Sequence, residues 1–378
     1  MHTVELTYLL GANGAQPALI RNALMDLLFA VREQGSISAA AKALGLSYRH
    51  VWGELKRWEQ ILGRTLIVWD KGQPARLNEF GEKLLWAERQ AQARLAPQIS
   101  ALRAELERTF AVAFDNAAHV VSLYASHDDA LVALQDHAVA SATLHLDVRY
   151  SGSLDAISAL NEGRCVMAGF HTRQHPVPGS RSERAYKPLL QPGLHKIIGF
   201  ARRDQGLIVP RGNPLGLRTI ADLLRPGVRY VNRALGTGTR VLLDELLEEA
   251  GIAAESVSGY TRHEPSHKAV AHAIASGSAD AGLGIASAAH RERLDFVPLV
   301  EENYFLVCLK STLDTPAMQA LMGVLRGEAW QATLAAMPGY TPTDSGQVLS
   351  LQRTLPWWDF AGKPKRRTSR ASPRRPGR

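Results

Sequence analysis

Cysteine is almost absent from this sequence, which has two thiols, Cys165 and Cys308, among its 378 residues. Two thiols cannot build a disulfide framework, and these two have no spacing typical of metal ligands. Both lie in short apolar runs of the kind that form buried strands. The sequence therefore argues against a disulfide-stapled domain, and we predict buried thiols, no metal site and no cofactor apart from a small-molecule effector.

Long apolar stretches are missing as well. No run of about 18 consecutive apolar residues occurs, and a membrane-spanning helix needs at least that length. Residues 1–6 do not have the basic and then apolar order of a signal peptide. We therefore expect no membrane partner and a cytoplasmic location.

Most of the chain also has no excess of charge. The net charge is +8, but residues 363–378 contain eight Lys or Arg and no acidic residue. The remaining chain has 36 basic and 36 acidic residues. The overall charge is thus no argument for a nucleic-acid partner, and residues 359–378 are predicted to form a disordered basic tail.

No recognisable catalytic motif is present either. Ser126 and His127 are adjacent in the chain instead of facing each other as a nucleophile and its base, and no Gly-x-Ser-x-Gly elbow occurs. The 13 histidines have no helical pair beside a third ligand. We interpret them as scattered polar or pocket-lining residues, and we predict that the protein is not an enzyme.

What the sequence does contain is a helix-turn-helix pattern over residues 35–55. Ser36 or Ser38 can cap a first helix by accepting a bond from a free backbone N–H. Gly45 lies where the chain must reverse, and glycine adopts the left-handed backbone of such a turn without strain. Ser47 can then cap the second helix.

The second helix has one apolar face and one polar first turn. Its apolar residues are spaced by four, three and four positions, at Val51, Leu55, Trp58 and Leu62. The residues of its first turn lie outside this apolar face, and they are typical of a recognition helix in the DNA major groove. We predict DNA contacts from Ser36, Ser38, Ser47, Tyr48, Arg49 and His50. A helical hairpin in a larger core is the alternative.

The flanks of this pattern favour a winged helix. An apolar helix is predicted over residues 18–34, after a possible strand at residues 4–10. Residues 65–77 predict a short β-hairpin that resembles a wing. Lys71 and Arg76 lie near its tip and join the predicted DNA contacts.

Residues 79–110 predict a long helix with a heptad-like apolar stripe. The stripe contains Leu95, Ile99, Leu102 and Leu106. In a helix of this length such a stripe favours pairing of two chains; packing on its own domain is the alternative. Pro97 is expected to kink or split the helix.

From about residue 114 onwards, short apolar strands alternate with helices. This pattern predicts βαβ units and mostly parallel sheets, in which ligands bind at the carboxyl ends of strands. The predicted strands are residues 120–124, 144–150, 165–170, 196–200, 207–209, 229–231, 279–283 and 304–309.

Three loops of this region place hydroxyls and free backbone N–H groups before a helix. Such helix N-termini bind anions without an obligatory Lys or Arg, although each loop can also be an ordinary capped connection. The glycines of residues 236–239 fit neither a P-loop nor a dinucleotide fingerprint. The candidate ligand contacts are Ser126, His127, Asp128, Ser151, Gly152, Ser153, Asn232, Arg233, Gly236, Thr237, Gly238, Thr239 and Arg240.

The segments 35–41 (GSISAAA), 46–52 (LSYRHVW) and 77–81 (LNEFG) resemble the winged helix of the molybdate-responsive repressor, a relative of the LysR-type regulators. The resemblance covers roughly residues 1–110. It implies a dimer that binds an inverted-repeat operator, and it does not by itself identify the effector.

A second resemblance covers residues 118–335, which look like the periplasmic-binding-protein-like domain found fused to molybdopterin-related proteins and to regulators. It implies two lobes that close on a ligand, and it adds Tyr260 and His267 to the candidate contacts. The sequence departs from the family at Phe170 and His171, where relatives often have an Ile-His pair. The matching segments are residues 126–128, 151–156, 161–171, 203–207, 212–214, 231–233, 236–240, 259–260 and 266–267.

Together these features predict an α/β multidomain protein. We expect a winged helix-turn-helix DNA-binding domain (residues 1–78), a linker and dimerisation helix (79–113), a two-lobed type II periplasmic-binding-protein-like domain (114–358) and a tail (359–378). The predicted function is a homodimeric or homotetrameric regulator that binds double-stranded DNA and an oxyanion, with molybdate or tungstate first and formate second. The alternative is a molybdenum-cofactor or molybdate storage protein with little DNA-binding role.

Overall fold

The computed structural model describes residues 22–69, 74–114 and 119–358. The possible strand at residues 4–10, the start of the first predicted helix, Lys71 and the basic tail lie outside these ranges. No helix within the described ranges is both long and apolar enough to cross a bilayer.

The N-terminal domain is a winged helix-turn-helix. It consists of α1 (Ala23–Gln34), α2 (Ile37–Leu44), α3 (Tyr48–Leu62), β1 (Ile67–Val68) and β2 (Arg76–Leu77). Val51 and Leu55 of α3 are completely buried, and Gly45 ends α2 in the left-handed conformation with φ 67°. These features confirm the predicted helix-turn-helix and the apolar face of its second helix.

The buried carboxylate of Glu59 attaches the hairpin to α3. It accepts hydrogen bonds from the backbone N–H groups of Leu66, at 2.7 Å, and Ile67, at 3.3 Å. β1 and β2 pair as antiparallel strands. The wing is thereby held to the recognition helix by a polar contact that the apolar pattern does not indicate.

A single helix of 36 residues, α4 (Glu79–Phe114), follows the wing, and we call it the linker helix. Gly81 allows it to lie against the wing, because a Cβ atom there would lie 2.6 Å from the carbonyl oxygen of Leu66. Pro97 lies inside the helix and does not split it. Leu95 and Leu102 are exposed, whereas Ala93 and Ala96 are buried.

The C-terminal domain is built on a mixed sheet. Its central strand order is β4-β3-β5-β10-β6-β9-β7-β8. The strands are β3 (His119–Ala125), β4 (Leu144–Tyr150), β5 (Met167–Arg173), β6 (His195–Val209), β7 (Tyr230–Arg233), β8 (His263–Glu264), β9 (Ala281–Ile285), β10 (Asp295–Leu309), β11 (Tyr340–Thr341) and β12 (Val348–Leu349). The helices are α5 (Asp129–Ala142), α6 (Ser153–Asn161), α7 (Arg181–Tyr186), α8 (Gly238–Glu249), α9 (His267–Ala275), α10 (Ala286–Arg291), α11 (Pro316–Arg326), α12 (Glu328–Ala335) and α13 (Leu351–Thr354).

Two 15-residue strands, β6 and β10, pair antiparallel and run through both halves of the sheet. The parallel strands β3, β4 and β5 form lobe I on one side, and β7, β8 and β9 form lobe II on the other. Two expectations are corrected here. The strands predicted at 196–200 and 207–209 are one strand, and the sheet is parallel only within each lobe. Each lobe has an apolar cluster of its own, and a larger cluster contains residues of both lobes. This arrangement confirms the two-lobed α/β architecture.

Candidate functional site

The first candidate surface is the turn between α2 and α3. Residues 42–50 are all exposed, and they include Tyr48, Arg49 and His50. Ser38 on α2 is exposed as well, as is Arg76 on the wing. The structure therefore places the described DNA-contact candidates at the surface around the start of the recognition helix.

Ser36 and Ser47 cap the two helices, as predicted. Their Oγ atoms accept hydrogen bonds of 3.1 Å from the backbone N–H groups of Ala39 and His50. Each hydroxyl hydrogen can still be donated, so a capping serine can also contact a phosphate.

An aromatic row connects α3 to the wing, and the sequence reasoning missed it. The rings of Tyr48 and Trp52 are nearly parallel, with centroids 6.3 Å apart, and Trp69 meets Trp52 edge-on at 5.7 Å. Lys56 Nζ lies 4.8 Å from the centre of the Trp52 ring. The four-residue spacing of Tyr48 and Trp52 on a helix is the signal that indicates this contact.

The second candidate site is the cleft between the lobes, which is bounded by the first residues of three helices. Ser153, Gly238 and His267 begin α6, α8 and α9. A Cβ atom on Gly238 would lie 3.1 Å from His171 Nδ1 and 3.3 Å from Ser153 Oγ. His267 Nε2 is 3.5 Å from Thr239 Oγ1. Helix N-termini and polar side chains from both lobes thus converge, which favours a negatively charged ligand.

The lobes are closed on each other in this structure. The Leu154 N–H of lobe I donates to the Gly236 carbonyl of lobe II at 3.4 Å. A Cβ atom on Gly152 would lie 2.6 Å from that same oxygen, so this approach requires glycine. The Ser182 N–H and hydroxyl donate to Glu245 on α8, at 2.9 and 2.6 Å.

Arg203, on β6, is a buried guanidinium with two carboxylate partners. Its Nε donates to Glu302 at 2.5 Å, and its Nη1 pairs with Asp128. Tyr340 donates to Asp128 at 2.7 Å, and Gln205 donates to Glu302 at 2.9 Å. Burial raises the pKa of Glu302, and Arg203 opposes that shift.

Arg233 ends β7 and is equally buried, with 1% of its surface exposed. Its Nε and Nη1 atoms have no hydrogen-bond partner among the described residues. Burial, and secondarily repulsion by Arg203, lowers the pKa of Arg233 to about 9. A buried guanidinium without a counter-ion is costly, and a bound anion would supply the missing partner.

Neutral hydrogen-bonding groups surround this charge. Burial, together with Arg203 and Arg233, holds the pKa values of His171 and His267 well below the ordinary histidine range. Both imidazoles are therefore neutral, and each can donate one N–H. Buried polar atoms without a partner at normal geometry in the described ranges include Ser126 Oγ, Ser153 Oγ, Thr172 Oγ1, His267 Nδ1, Tyr304 Oη and both ring nitrogens of His171.

Asp128 has a different role from the predicted ligand contact. Its Oδ1 caps α5 by accepting from the Ala130 N–H at 2.8 Å, and its Oδ2 is taken by Tyr340 and Arg203. The carboxylate therefore orders the floor of the cleft, and it already occupies the N-terminus of α5.

Asn232 and Thr237 also have structural roles. The Asn232 side chain donates to the Tyr260 carbonyl at 3.0 Å and accepts from the Arg233 N–H at 2.9 Å. Thr237 caps α8, and its hydroxyl donates to the Ala234 carbonyl at 2.8 Å. Both side chains shape the loop that carries Arg233.

Arg240 and Tyr260 form a cluster with Asp244 on α8. Arg240 Nε lies 3.1 Å from the carboxylate, and the Tyr260 hydroxyl donates to it at 2.7 Å. The guanidinium also lies 4.0 Å from the centre of the Tyr260 ring. Since each member is satisfied within the cluster, we assign these two candidates to the support of α8.

His127 and Ser151 lie at the edge of lobe I. The His127 ring centroid is 4.8 Å from that of Tyr150, and burial lowers the pKa of His127 to about 4. Ser151 is half-buried, with its hydroxyl 3.4 Å from the Gly152 carbonyl.

Sequence reasoning missed most of the side chains contributed by β6 and β10. Arg203, Gln205, Glu302 and Tyr304 are all buried, although none was a candidate. His171 was noted only as a departure from the family pattern. A usable signal existed, because polar residues inside long apolar strands must find partners when they are buried.

Comparison with known proteins identifies both parts of the chain. Residues 134–326, about half of the chain, match the family described as the PBP superfamily domain. Residues 23–82 match the bacterial regulatory helix-turn-helix proteins of the lysR family.

Two curated relatives carry no assigned function. The uncharacterized protein YvgK of Bacillus subtilis is 34% identical over 201 residues, which are 53% of this chain and 64% of YvgK. The chain therefore spans less than two thirds of that relative. An uncharacterized protein from the 5′ region of a ferredoxin 2Fe-2S gene in Clostridium pasteurianum is 32% identical over 111 residues, 29% of this chain and 98% of that protein.

The solved structures that resemble this chain are distant from it in sequence. CbnR with its target DNA is 17% identical, with a TM-score of 0.41, over 80% of this chain and 98% of that one. A putative phosphate ABC transporter substrate-binding protein from Clostridium perfringens, with bound phosphate, is 14% identical, with a TM-score of 0.46. The match covers 59% of this chain and 99% of that protein. From the family matches, the chain belongs to the PBP superfamily and joins that domain to a lysR-family helix-turn-helix, which is the domain composition of a LysR-type, ligand-responsive transcriptional regulator.

Proposed function

We propose that this protein regulates transcription by binding double-stranded DNA through α3 and the wing, under the control of a small anion held between the two lobes. The exposed start of α3 supports the DNA-binding part, because its Tyr, Arg and His side chains are free to reach base edges. The exposed residues Leu95 and Leu102 on the linker helix support assembly into a homodimer or homotetramer.

One observation carries the choice of an anion as the effector. Arg233 is buried in the cleft, and its Nε and Nη1 have no hydrogen-bond partner in the part of the chain that the structure describes, whereas Arg203 already has two carboxylates. Ser153 and the neutral histidines beside the cleft add donors without adding charge. A small anion would neutralise Arg233 and accept these hydrogen bonds at the same time.

Within this class we rank molybdate or tungstate first and formate second. Tetrahedral oxyanions offer several acceptor oxygens to a site rich in hydroxyl, imidazole and backbone N–H donors. The resemblance of the N-terminal domain to the molybdate-responsive repressor supports the same order. Formate remains the second candidate because one guanidinium balances its single charge.

The test is operator selection from genomic fragments followed by gel shifts with molybdate, tungstate, formate, sulfate and phosphate. We expect one sequence-specific operator whose binding or migration changes with one of the first three anions. The Arg233→Met variant should bind the operator and lose that response. A wild-type protein that binds molybdate but has no sequence preference on DNA would instead support the storage function.

A further inference from the structure

We propose that Arg94 of the linker helix is a positioning residue for the effector, because it holds Glu264 and thereby the two lobe II segments that carry Arg233 and His267. This inference rests on the proposed effector site. It makes the helix that carries the DNA-binding domain a part of the ligand-binding apparatus.

The contact between Arg94 and Glu264 is bidentate. Arg94 Nε donates to Oε2 at 2.9 Å, and Nη2 donates to Oε1 at 2.7 Å. The Glu264 side chain is 1% exposed, whereas that of Arg94 is 51% exposed. Since a buried carboxylate needs its partner, loss of Arg94 would leave the charge of Glu264 uncompensated and drive its side chain towards water.

Glu264 is directly connected to the strand that ends in Arg233. It lies beside Arg233 in the parallel pairing of β8 with β7, and its carbonyl accepts from the Ala234 N–H at 3.3 Å. A shift of Glu264 therefore displaces the backbone at Arg233 and the start of the loop that leads to α8.

The same end of the linker helix also contacts the start of α9. Ser266 caps α9 by accepting from the Ala269 N–H at 3.1 Å, and its hydroxyl donates to the Ala93 carbonyl at 3.4 Å. His267 follows immediately and presents its unpartnered Nδ1. Arg94 and its neighbour Ala93 thus hold both sides of the segment that forms this wall of the cleft.

Further along, the linker helix reaches lobe I. Ser100 Oγ lies 3.5 Å from the Tyr150 hydroxyl. Tyr150 directly precedes Ser151 and the loop that leads to Ser153 at the start of α6, and its ring contacts His127. The linker helix therefore touches residues beside the proposed ligand site on both lobes, so the lobes cannot separate without changing one of these contacts.

The experiment uses the full chain and a matched control. Arg229 and Asp280 form another bidentate pair on lobe II, with the same two distances of 2.9 and 2.7 Å, away from the linker helix. We would compare Arg94→Ala, Arg94→Lys and Arg229→Ala by calorimetric titration with sodium molybdate, tungstate and formate in turn. Hydrogen exchange of peptides covering residues 263–270 would be measured without ligand.

We expect Arg94→Ala to weaken binding of the recognised anion by at least about fivefold, the low end of measured couplings between sites. Arg94→Lys should give an intermediate loss, because it keeps the charge without the bidentate geometry. Arg229→Ala should bind like the wild type. Exchange of residues 263–270 should accelerate in Arg94→Ala, less in Arg94→Lys, and not in Arg229→Ala. Equal anion affinity in Arg94→Ala and Arg229→Ala would overturn the proposal.

Failure of the proposed effector gives a different pattern. If none of the three anions binds the wild-type chain, the oxyanion assignment is wrong, and the exchange measurement alone decides the role of Arg94. Unchanged exchange at residues 263–270 in Arg94→Ala would then refute the positioning role.

Discussion

Arg203 and Arg233 are both buried in the interlobe cleft and repel each other, but only Arg203 is neutralised by carboxylates. This asymmetry is the reason that we assign a structural role to Arg203 and propose Arg233 as the contact for the anion. Arg203 joins Asp128 on lobe I to Glu302 on β10. Arg233 instead has two N–H groups without a hydrogen-bond partner among the described residues, and attraction by Asp128 only partly offsets the effect of its burial.

The asymmetry predicts opposite effects of the same substitution. Arg233→Met should stabilise the ligand-free protein by at least about 1 kcal/mol, because it removes an uncompensated buried charge. The same variant should lose anion binding. Urea denaturation and calorimetric titration are the measurements.

Arg203→Met serves as the matched control. It should destabilise the protein by about 3–5 kcal/mol, since it leaves two buried carboxylates without their partner. Destabilisation by both substitutions would mean that Arg233 has a counter-ion in the ligand-free protein.

The two hydroxyls of Ser153 and Thr237 are predicted to differ in role. Ser153→Ala should weaken anion binding by about 1.5–3 kcal/mol, the range for a lost bond to a charged group. Thr237→Ala removes a helix cap instead and should cost about 0.5–2 kcal/mol of stability with little effect on affinity. Titration and urea denaturation of each variant separate the two effects, and equal affinity losses would contradict the assignment.

Local features of the fold could be predicted from the sequence. The caps Ser36 and Ser47 and the left-handed Gly45 depend on neighbours within a few residues. Strand β4 has the predicted bounds, 144–150, because its apolar pattern begins and ends at these two positions. Short-range physical preferences were sufficient for these elements.

The buried contacts of Arg203 in the cleft could not be predicted in this way. Arg203 interrupts the apolar pattern of β6, so the strand was divided into two. Its partners Asp128 and Glu302 lie 75 and 99 residues away in the chain. Likewise, Arg233 was a candidate contact, but only the folded chain distinguishes it from the satisfied Arg240.

Desolvation of the half-buried His127 predicts a dependence of stability on pH. The pKa of His127 is lowered to about 4, from 6.5 in an unfolded chain. Because the folded value is the lower one, the stability is fully present above pH 6.5 and is lost as the pH falls towards 4. For His127 alone this amounts to about 3 kcal/mol.

Urea denaturation between pH 7.5 and 4.5 measures this loss. His127→Gln should reduce its slope, whereas substitution of the exposed His290 by Gln should not. An unchanged slope in His127→Gln would show that this imidazole takes up its proton at the same pH in the folded and the unfolded protein.

The exposed stripe of the linker helix predicts a specific assembly defect. Leu102 is 53% exposed, and Leu102→Asp would place a charge in the proposed contact between two chains. We expect the dimer dissociation constant to rise at least about tenfold, which is about 1.4 kcal/mol. Analytical ultracentrifugation measures this change, with Val177→Asp as the control, because Val177 is 54% exposed in a loop of lobe I. Dimers of normal stability in Leu102→Asp would place the subunit interface elsewhere.

The last prediction concerns Arg49, in the exposed first turn of α3. Arg49→Ala should weaken operator preference while leaving the fold and the oligomeric state unchanged, because the side chain lies opposite the buried Val51 and Leu55. Loss of one sequence-specific contact costs about 1–3 kcal/mol and relaxes specificity at the base pair that it reads. Gel shifts on operator and scrambled DNA measure this, with Arg57→Ala as the control, since Arg57 on the same helix pairs with Glu54. If Arg49→Ala retains wild-type affinity and preference while Arg57→Ala loses them, the DNA lies further along α3 than we propose.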